Sequence, residues 1–534
     1  MKGLRALAMA LVLATGCAVP LDAPPEGPAE GGGPPKAGGT FRVAFPEDPH
    51  HLDPALGYDT VSWWAEQLLF NTLVTYDEGT RIVPDLATSW ETSTDGRQVT
   101  FRLRPDVVFS TGRAMTGADV KYSLERLLKP ALHSPGVEFF TDIEGVDDYV
   151  QGRATEVRGI RVPAPDQVVF ALTQVDPLFL HKLTMPFAAV VDREAIERGG
   201  DGEFDRRRPI GTGAFLLAEW TYGQTLRFER NPSYFRTGTP YLDAIQVTIG
   251  ANEQLGWLQY LRGELDVAGI PSAEFARVVA DPRYQSLLVS RTTLRTSYLG
   301  LNCGMAPFDR VAVRQAVNMA VDKQRIVELA DGRGVVARGI LPPDMPGYDA
   351  GLEGLRHDPA AARALLADAG FGSGIATTFW VSRDDLALRI AQSVQEDLRA
   401  IGMDLRLKPV DFPALIEGVR RPGIVPMFMF GWEADFPDPS NFLDVLFNSR
   451  NQETNNNTFY GNPDVDRLLG QAQTLLDPAA RLRLFHEAEV RIVRDAPWVP
   501  LMHPSSVNVR NPRVRNYVLH PLRPTRFERV WVAS

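Results

Sequence analysis

The sequence predicts an α/β chain of two or three domains, on three observations. At 534 residues it is longer than one ordinary hydrophobic core serves. Its first half carries short alternating strands and hairpins. After Thr296 the texture changes to strand–helix–strand, which implies a parallel-sheet α/β lobe. Hydrophobic and charged contents of 44% and 23% are globular values and exclude disorder and fibrous repeats. The formal net charge of −10, with no Lys/Arg-rich run, argues against nucleic acid as a partner.

Taken in order, the chain opens with Lys2 and Arg5 around a short apolar run, residues 4–14. That run is too short to span a membrane and suits a secretory signal peptide. It ends in Leu13-Ala14-Thr15-Gly16-Cys17, which resembles a bacterial lipobox, with Ala14 where leucine is commoner. The resemblance implies cleavage after residue 16 and lipid on Cys17; the alternative is an ordinary leader with an incidental cysteine. Residues 18–39, rich in Pro, Gly, Ala and Glu, read as a flexible tether. Cys303 is the only other cysteine, so an exported chain must be stabilised by its core rather than by a disulfide.

Residues 39–45 alternate weakly and predict the first strand, and Trp64, Leu68 and Leu69 predict a helix over 63–73. Val99, Phe101 and Leu103 alternate with Thr100, Arg102 and Arg104, a half-buried strand continued by a second at 107–109. Thr116 and Asp119 form a capping-box pattern opening a helix to about Leu128. A hairpin follows at 159–162 and 168–172, and the glycines at 211 and 213 read as a tight turn before a strand. Short strands continue to 242–249, with a helix at 255–261. From 297–302 (strand) the chain runs into one amphipathic helix over 311–329. A helix then begins at Asp358-Pro359, and the crossover unit is 375–381 (strand), 387–401 (helix) and 405–410 (strand). Asp477-Pro478 opens a last helix to about Val493.

The candidate site is the stretch 431–443, GWEADFPDPSNFL, which follows an apolar strand at 425–430. Glu433, Asp435 and Asp438 stand among Trp432, Phe436 and Phe442, and an anion beside an aromatic face attracts a cation such as an ammonium group. Asp438 reads as a helix cap with Pro439 at the first helical position, on a short helix through Phe447. The crevice beyond the carboxyl ends of strands is where open α/β sheets usually bind ligands. The sequence has no Gly-x-Ser-x-Gly elbow, His-Glu-x-x-His, cysteine pair or Walker loop. His50 and His51, near Asp48 and Asp53, point to opposite faces of an extended chain, which disfavours a shared metal. The Asn455-Asn456-Asn457 tract reads as a polar loop.

Further residues combine in order and spacing: Leu52-Asp53-Pro54, Pro84-Asp85-Leu86-Ala87, Ser89-Trp90-Glu91, Ala118-Asp119-Val120 and Arg230-Asn231-Pro232. Gly263-Glu264-Leu265-Asp266, Pro307-Phe308-Asp309, Val313-Arg314-Gln315-Ala316, Asp322-Lys323 and Trp432 to Pro439 complete the set. With these the chain resembles family 5 solute-binding proteins of ABC importers, the dipeptide, oligopeptide and nickel group. The resemblance implies a two-lobed periplasmic-binding-protein fold, type II-like and cluster C, with an inserted extra domain and a ligand cleft between the lobes. The implied division is 1–16 leader, 17–38 tether, 39–80, 207–293 and 503–534 domain I, 81–206 domain II, and 294–502 domain III. It also implies a non-enzymatic monomer without cofactor or metal, lipid-anchored through Cys17 on the outer face of the cell membrane or in the periplasm. Its partners would be a small-molecule or peptide ligand and the membrane permease subunits. In the peptide-binding members an Asp at the place of Asp435 pairs with the α-ammonium, and Trp432 and Phe436 would wall the pocket. Arg383 resembles the arginine that grips the ligand carboxylate, although a solvated loop arginine remains the alternative. An oligosaccharide, an opine-like compound or a metal chelate are the rival ligands within the family, and a secreted hydrolase is the rival class.

Overall fold

The computed structural model describes residues 24–25, 34–207, 209–452 and 454–533; the leader, Cys17 and most of the tether lie outside the described residues. The strand Thr40–Phe45 pairs in parallel with Ala244–Ile249, which continues antiparallel into Thr225–Arg230 and then Phe215–Thr221. Between the first two of these partners the chain makes an excursion that builds a separate antiparallel sheet. Its order is Ala87–Thr92, Gln98–Leu103, Gln167–Ala171, Ile160–Ala164. The predicted alternation holds there, for Val99, Phe101 and Leu103 are all buried. The helix Gly117–Leu127 begins at the predicted capping box. Asp119 Oδ2 accepts from the Thr116 backbone N–H at 2.9 Å and from its hydroxyl at 3.0 Å. Val120, Leu124 and Leu127 pack with Phe101 and Phe170 into one core, each buried large side chain contributing about 1.5–3 kcal/mol. Residues 107–109, expected as a strand, make only an isolated bridge between Val108 and Ala114 around a turn at Gly112.

The third body is built on a larger sheet ordered Met403–Val410, Ile375–Ser382, Met427–Glu433, Arg295–Leu301, Trp498–Arg510 and Val267–Gly269. Its first three strands are parallel; the crossover helix Asp385–Ala400, which buries Ile390, Ala391, Val394 and Leu398, joins Ile375–Ser382 to Met403–Val410, and the helix Phe412–Arg420 leads on to Met427–Glu433. Arg295–Leu301 and Trp498–Arg510 run antiparallel within it, so the sheet is mixed rather than parallel throughout. The local crossover fixes direction only for the strands it joins. The two faces of the sheet bury different cores: Leu299, Met427 and Phe379 on one side, Tyr298, Phe428, Phe442 and Phe447 on the other. The 13-residue strand Trp498–Arg510 pairs with Arg295–Leu301 at its start and with Leu288–Thr292 and Val267–Gly269 further on. It thereby joins this sheet to the N-terminal body.

The single helix expected over 311–329 is two, Val311–Ala320 and Lys323–Leu329. Asp322 breaks it: its backbone N–H donates to Asp397 Oδ2 at 3.0 Å and its Oδ1 accepts the Arg325 N–H at 3.1 Å, an N-cap inside the apolar repeat. Cys303 follows its strand, and burial pushes its thiol up to about 11, so it is an inert packing residue.

Candidate functional site

The apolar strand does not end at Phe430 as the sequence suggested. It runs Met427–Glu433, because Gly431, Trp432 and Glu433 pair with Ser297, Thr296 and Arg295 of the neighbouring strand. The chain then turns through residues 434–439 into the helix Ser440–Phe447. That helix starts one residue later than predicted, so Pro439 rather than Asp438 is its N-cap, and Asp438 is fixed just ahead of it. Its Oδ1 accepts the Ser440 N–H at 2.9 Å and the Ser440 hydroxyl at 2.6 Å, while Arg481 clamps both carboxylate oxygens. Burial alone would raise this carboxyl, but Arg481 outweighs it and holds Asp438 below the usual carboxylate range. Asp438 is therefore a neutralised structural anchor.

Asp435 is in the opposite situation. Its carboxylate makes no ion pair among the described residues. Asn441, 2% exposed in the first turn of the helix, donates from Nδ2 to Asp435 Oδ2 at 3.1 Å. The same amide's oxygen accepts from the Asp435 backbone N–H and from Trp432 Nε1, each at 3.2 Å. One buried amide thus latches the indole and the carboxylate together. Burial pushes the Asp435 carboxyl above its ordinary value, and the bond from Asn441 offsets only part of this. A desolvated carboxylate with one neutral donor is short of a cation.

The surroundings of Asp435 come from the N-terminal half of the chain. Tyr58, 47% exposed, has its ring centroid 5.3 Å from that of Phe187 and 5.6 Å from that of Trp63, tilted against both. Its phenol is pushed up to about 12, by burial first and then by the charges of Asp435 and Glu138. Phe436, 7% exposed, lies with its ring 6.2 Å from that of His181, whose Nδ1 bonds the Tyr76 hydroxyl at 2.9 Å. Phe436 is therefore a packed contact between the two halves of the molecule. Glu433 stays exposed at the strand end.

Arg383 lies just past the strand Ile375–Ser382, and Asp411 just past Met403–Val410, at the carboxyl ends of parallel strands. Their ion pair is 3.5 Å long with both side chains largely exposed, so it contributes little to stability. Arg383 lines a cavity of about 480 Å³ with Phe412, Phe430 and Gly431 among its walls. The structure thus brings Trp432 and Asp435 into one hydrogen-bonded unit and sets Arg383 in an adjoining cavity that touches the same strand. Asn441 and Tyr58 were missed by sequence reasoning, although Asn441 lies inside the stretch it singled out. His50 and His51 go to different carboxylates, Asp59 at 3.3 Å and Asp205 at 3.0 Å.

Known proteins fit this architecture. The profile of the family described as bacterial extracellular solute-binding proteins, family 5 Middle, matches residues 81–454. Heme-binding protein A of Haemophilus influenzae is 30% identical over 503 residues, 90% of each chain. Di/tripeptide-binding protein 2 of Pseudomonas aeruginosa is 28% identical, covering 92% of this chain and 94% of its own. Among solved structures, clavulanic acid biosynthesis oligopeptide binding protein 2 superposes with a TM-score of 0.83 at 28% identity, covering 93% and 96% of the two chains.

Proposed function

The chain belongs to family 5 of the bacterial extracellular solute-binding proteins, and on that premise we propose that it is the extracytoplasmic binding subunit of an ABC importer. It takes a di- or oligopeptide between its two lobes and delivers it to a membrane permease, the ligand shifting an open–closed equilibrium. The observation that carries the peptide reading is the cation-short carboxylate of Asp435, latched to Trp432 by Asn441 and neighboured by the Tyr58 aromatic cluster. A peptide α-ammonium supplies the missing charge. Trp432 and Phe436 then wall the site and Arg383 serves the carboxylate end. The names of two of the matched proteins, di/tripeptide- and oligopeptide-binding, support the same ligand class.

The protein binds rather than transforms its ligand. Its domains are 39–80 with 207–293 and 503–534, the inserted 81–206, and 294–502. The strand Trp498–Arg510 crosses the last boundary, so closure bends the chain there. Cys17 carries lipid that holds the body at the outer face of the membrane. Heme is the second reading, because a relative at 30% identity is named for it. Mass spectrometry of the ligand that copurifies, followed by calorimetry with dipeptides and with heme, tests the two. Peptide binding at micromolar affinity or better is expected; a Soret band and heme binding without any peptide response would sink the peptide reading.

A further inference from the structure

The cavity lined by Arg383, Phe430 and Gly431 holds two guanidinium groups in unequal circumstances. Arg383 already has Asp411 at 3.5 Å. Asp384, also on the lining, is engaged locally: its Oδ1 accepts the Ala387 N–H at 2.8 Å and its other oxygen takes the Ser382 hydroxyl. Arg295, the first residue of its strand, makes no side-chain hydrogen bond or ion pair among the described residues, although Glu433 is its partner in register. Its guanidinium lies against the backbone of Gly431, where an added Cβ would stand 2.8 Å from both Nε and Nη2. A side chain at 431 would push the cation from this resting place. Behind it the cavity is walled by Ile326, Ile390, Met429, Leu501 and Met502. A free planar cation over an apolar interior matches a carboxylate joined to a large apolar group.

We propose that Arg295 is the principal anion-holding residue of this cavity, which takes the C-terminal end of a peptide bearing a large aliphatic or aromatic side chain. The carboxylate sits on Arg295 with Arg383 in support, and the side chain enters the apolar interior. This rests on the peptide reading above. Arg295 then determines specificity at the end of the ligand remote from Asp435.

Calorimetry of the wild type, Arg295→Gln and Arg383→Gln with Ala-Leu, Ala-Leu-amide and Ala-Gly tests it, with melting curves to show that each variant folds. The wild type is expected to prefer Ala-Leu to its amide and to Ala-Gly by about tenfold or more each. Arg295→Gln should bring the acid-to-amide preference near unity while keeping the preference for Leu over Gly. Arg383→Gln should lower the first preference by less. An acid-to-amide preference that survives in Arg295→Gln overturns the assignment. Should that variant not fold, Gly431→Ala displaces the guanidinium without removing its charge and must give the same loss. If the wild type binds no peptide, the peptide reading has failed separately. N-acetyl-leucine against its amide, read by ligand-observed NMR, then still decides: a signal for the acid that vanishes in Arg295→Gln upholds the site, and an unchanged one refutes it.

Discussion

Replacing Asp435 by Asn keeps the shape of the side chain and lets its oxygen still accept from Asn441 Nδ2, now 3.1 Å away, while one charge is removed. In the ligand-bound protein the lost term is a contact between an ammonium and a half-buried carboxylate. At about 4 Å and an effective dielectric constant of about 20 this is worth about 4 kcal/mol, within the range of about 2–5 kcal/mol for truncating one partner of a buried charge pair. Peptide affinity should therefore fall by a factor of about 30 to 4000. The same substitution has the opposite sign in the ligand-free protein. Burial raises the folded-state pKa of Asp435 above its ordinary 3.8. The stability it contributes is thus fully present below that value and lost as pH rises through the folded pKa. Asp435→Asn should melt higher than the wild type at pH 7, with the advantage fading on acidification. Isothermal titration with a dipeptide and a melting series from pH 4 to 8 measure both arms. A folded Asp435→Asn that binds within threefold of the wild type would refute the charge-pairing argument.

Asp438 and Arg481, both buried, should behave as a structural pair: Asp438→Ala leaves the guanidinium unpaired and is expected to cost about 3–5 kcal/mol in urea unfolding. Glu489 is buried and accepts the N–H groups of Ile340 and Leu341 at 2.7 and 2.9 Å; burial raises its pKa to about 7, against the partial opposition of these two bonds. Its contribution is present below about 4.5 and lost as pH rises through about 7, so the wild type should lose about 3 kcal/mol relative to Glu489→Gln across that window. Parallel pH profiles for the two proteins would contradict this. Cys17→Ala should release the protein from the detergent phase of a Triton X-114 partition and leave peptide affinity unchanged; continued partition into detergent would argue against lipid at Cys17.

Local regularities were legible because they depend on near neighbours. The alternation at Val99, Phe101 and Leu103, the Thr116–Asp119 box and the helix starts at Pro359 and Pro478 all appear where the sequence put them. Errors arose where a distant residue intervened. Asp322 ends one helix and caps the next with its N–H on Asp397, 75 residues on. The site strand reaches Glu433 because Arg295–Leu301 lies alongside it. The same holds within the site. Composition alone marked 431–443 as acidic and aromatic, and family resemblance singled out Asp435. Which carboxylate stays free was decided by tertiary structure, since Arg481 neutralises Asp438, 43 residues away, and no cation reaches Asp435 among the described residues. Periodicity and capping are written within a few residues, so the sequence by itself determined the α/β class, the main elements and the acidic, aromatic stretch proposed as the site. Charge balance, burial and the room that Gly431 leaves for Arg295 depend on chain segments that meet only after folding, so only the tertiary structure decided them.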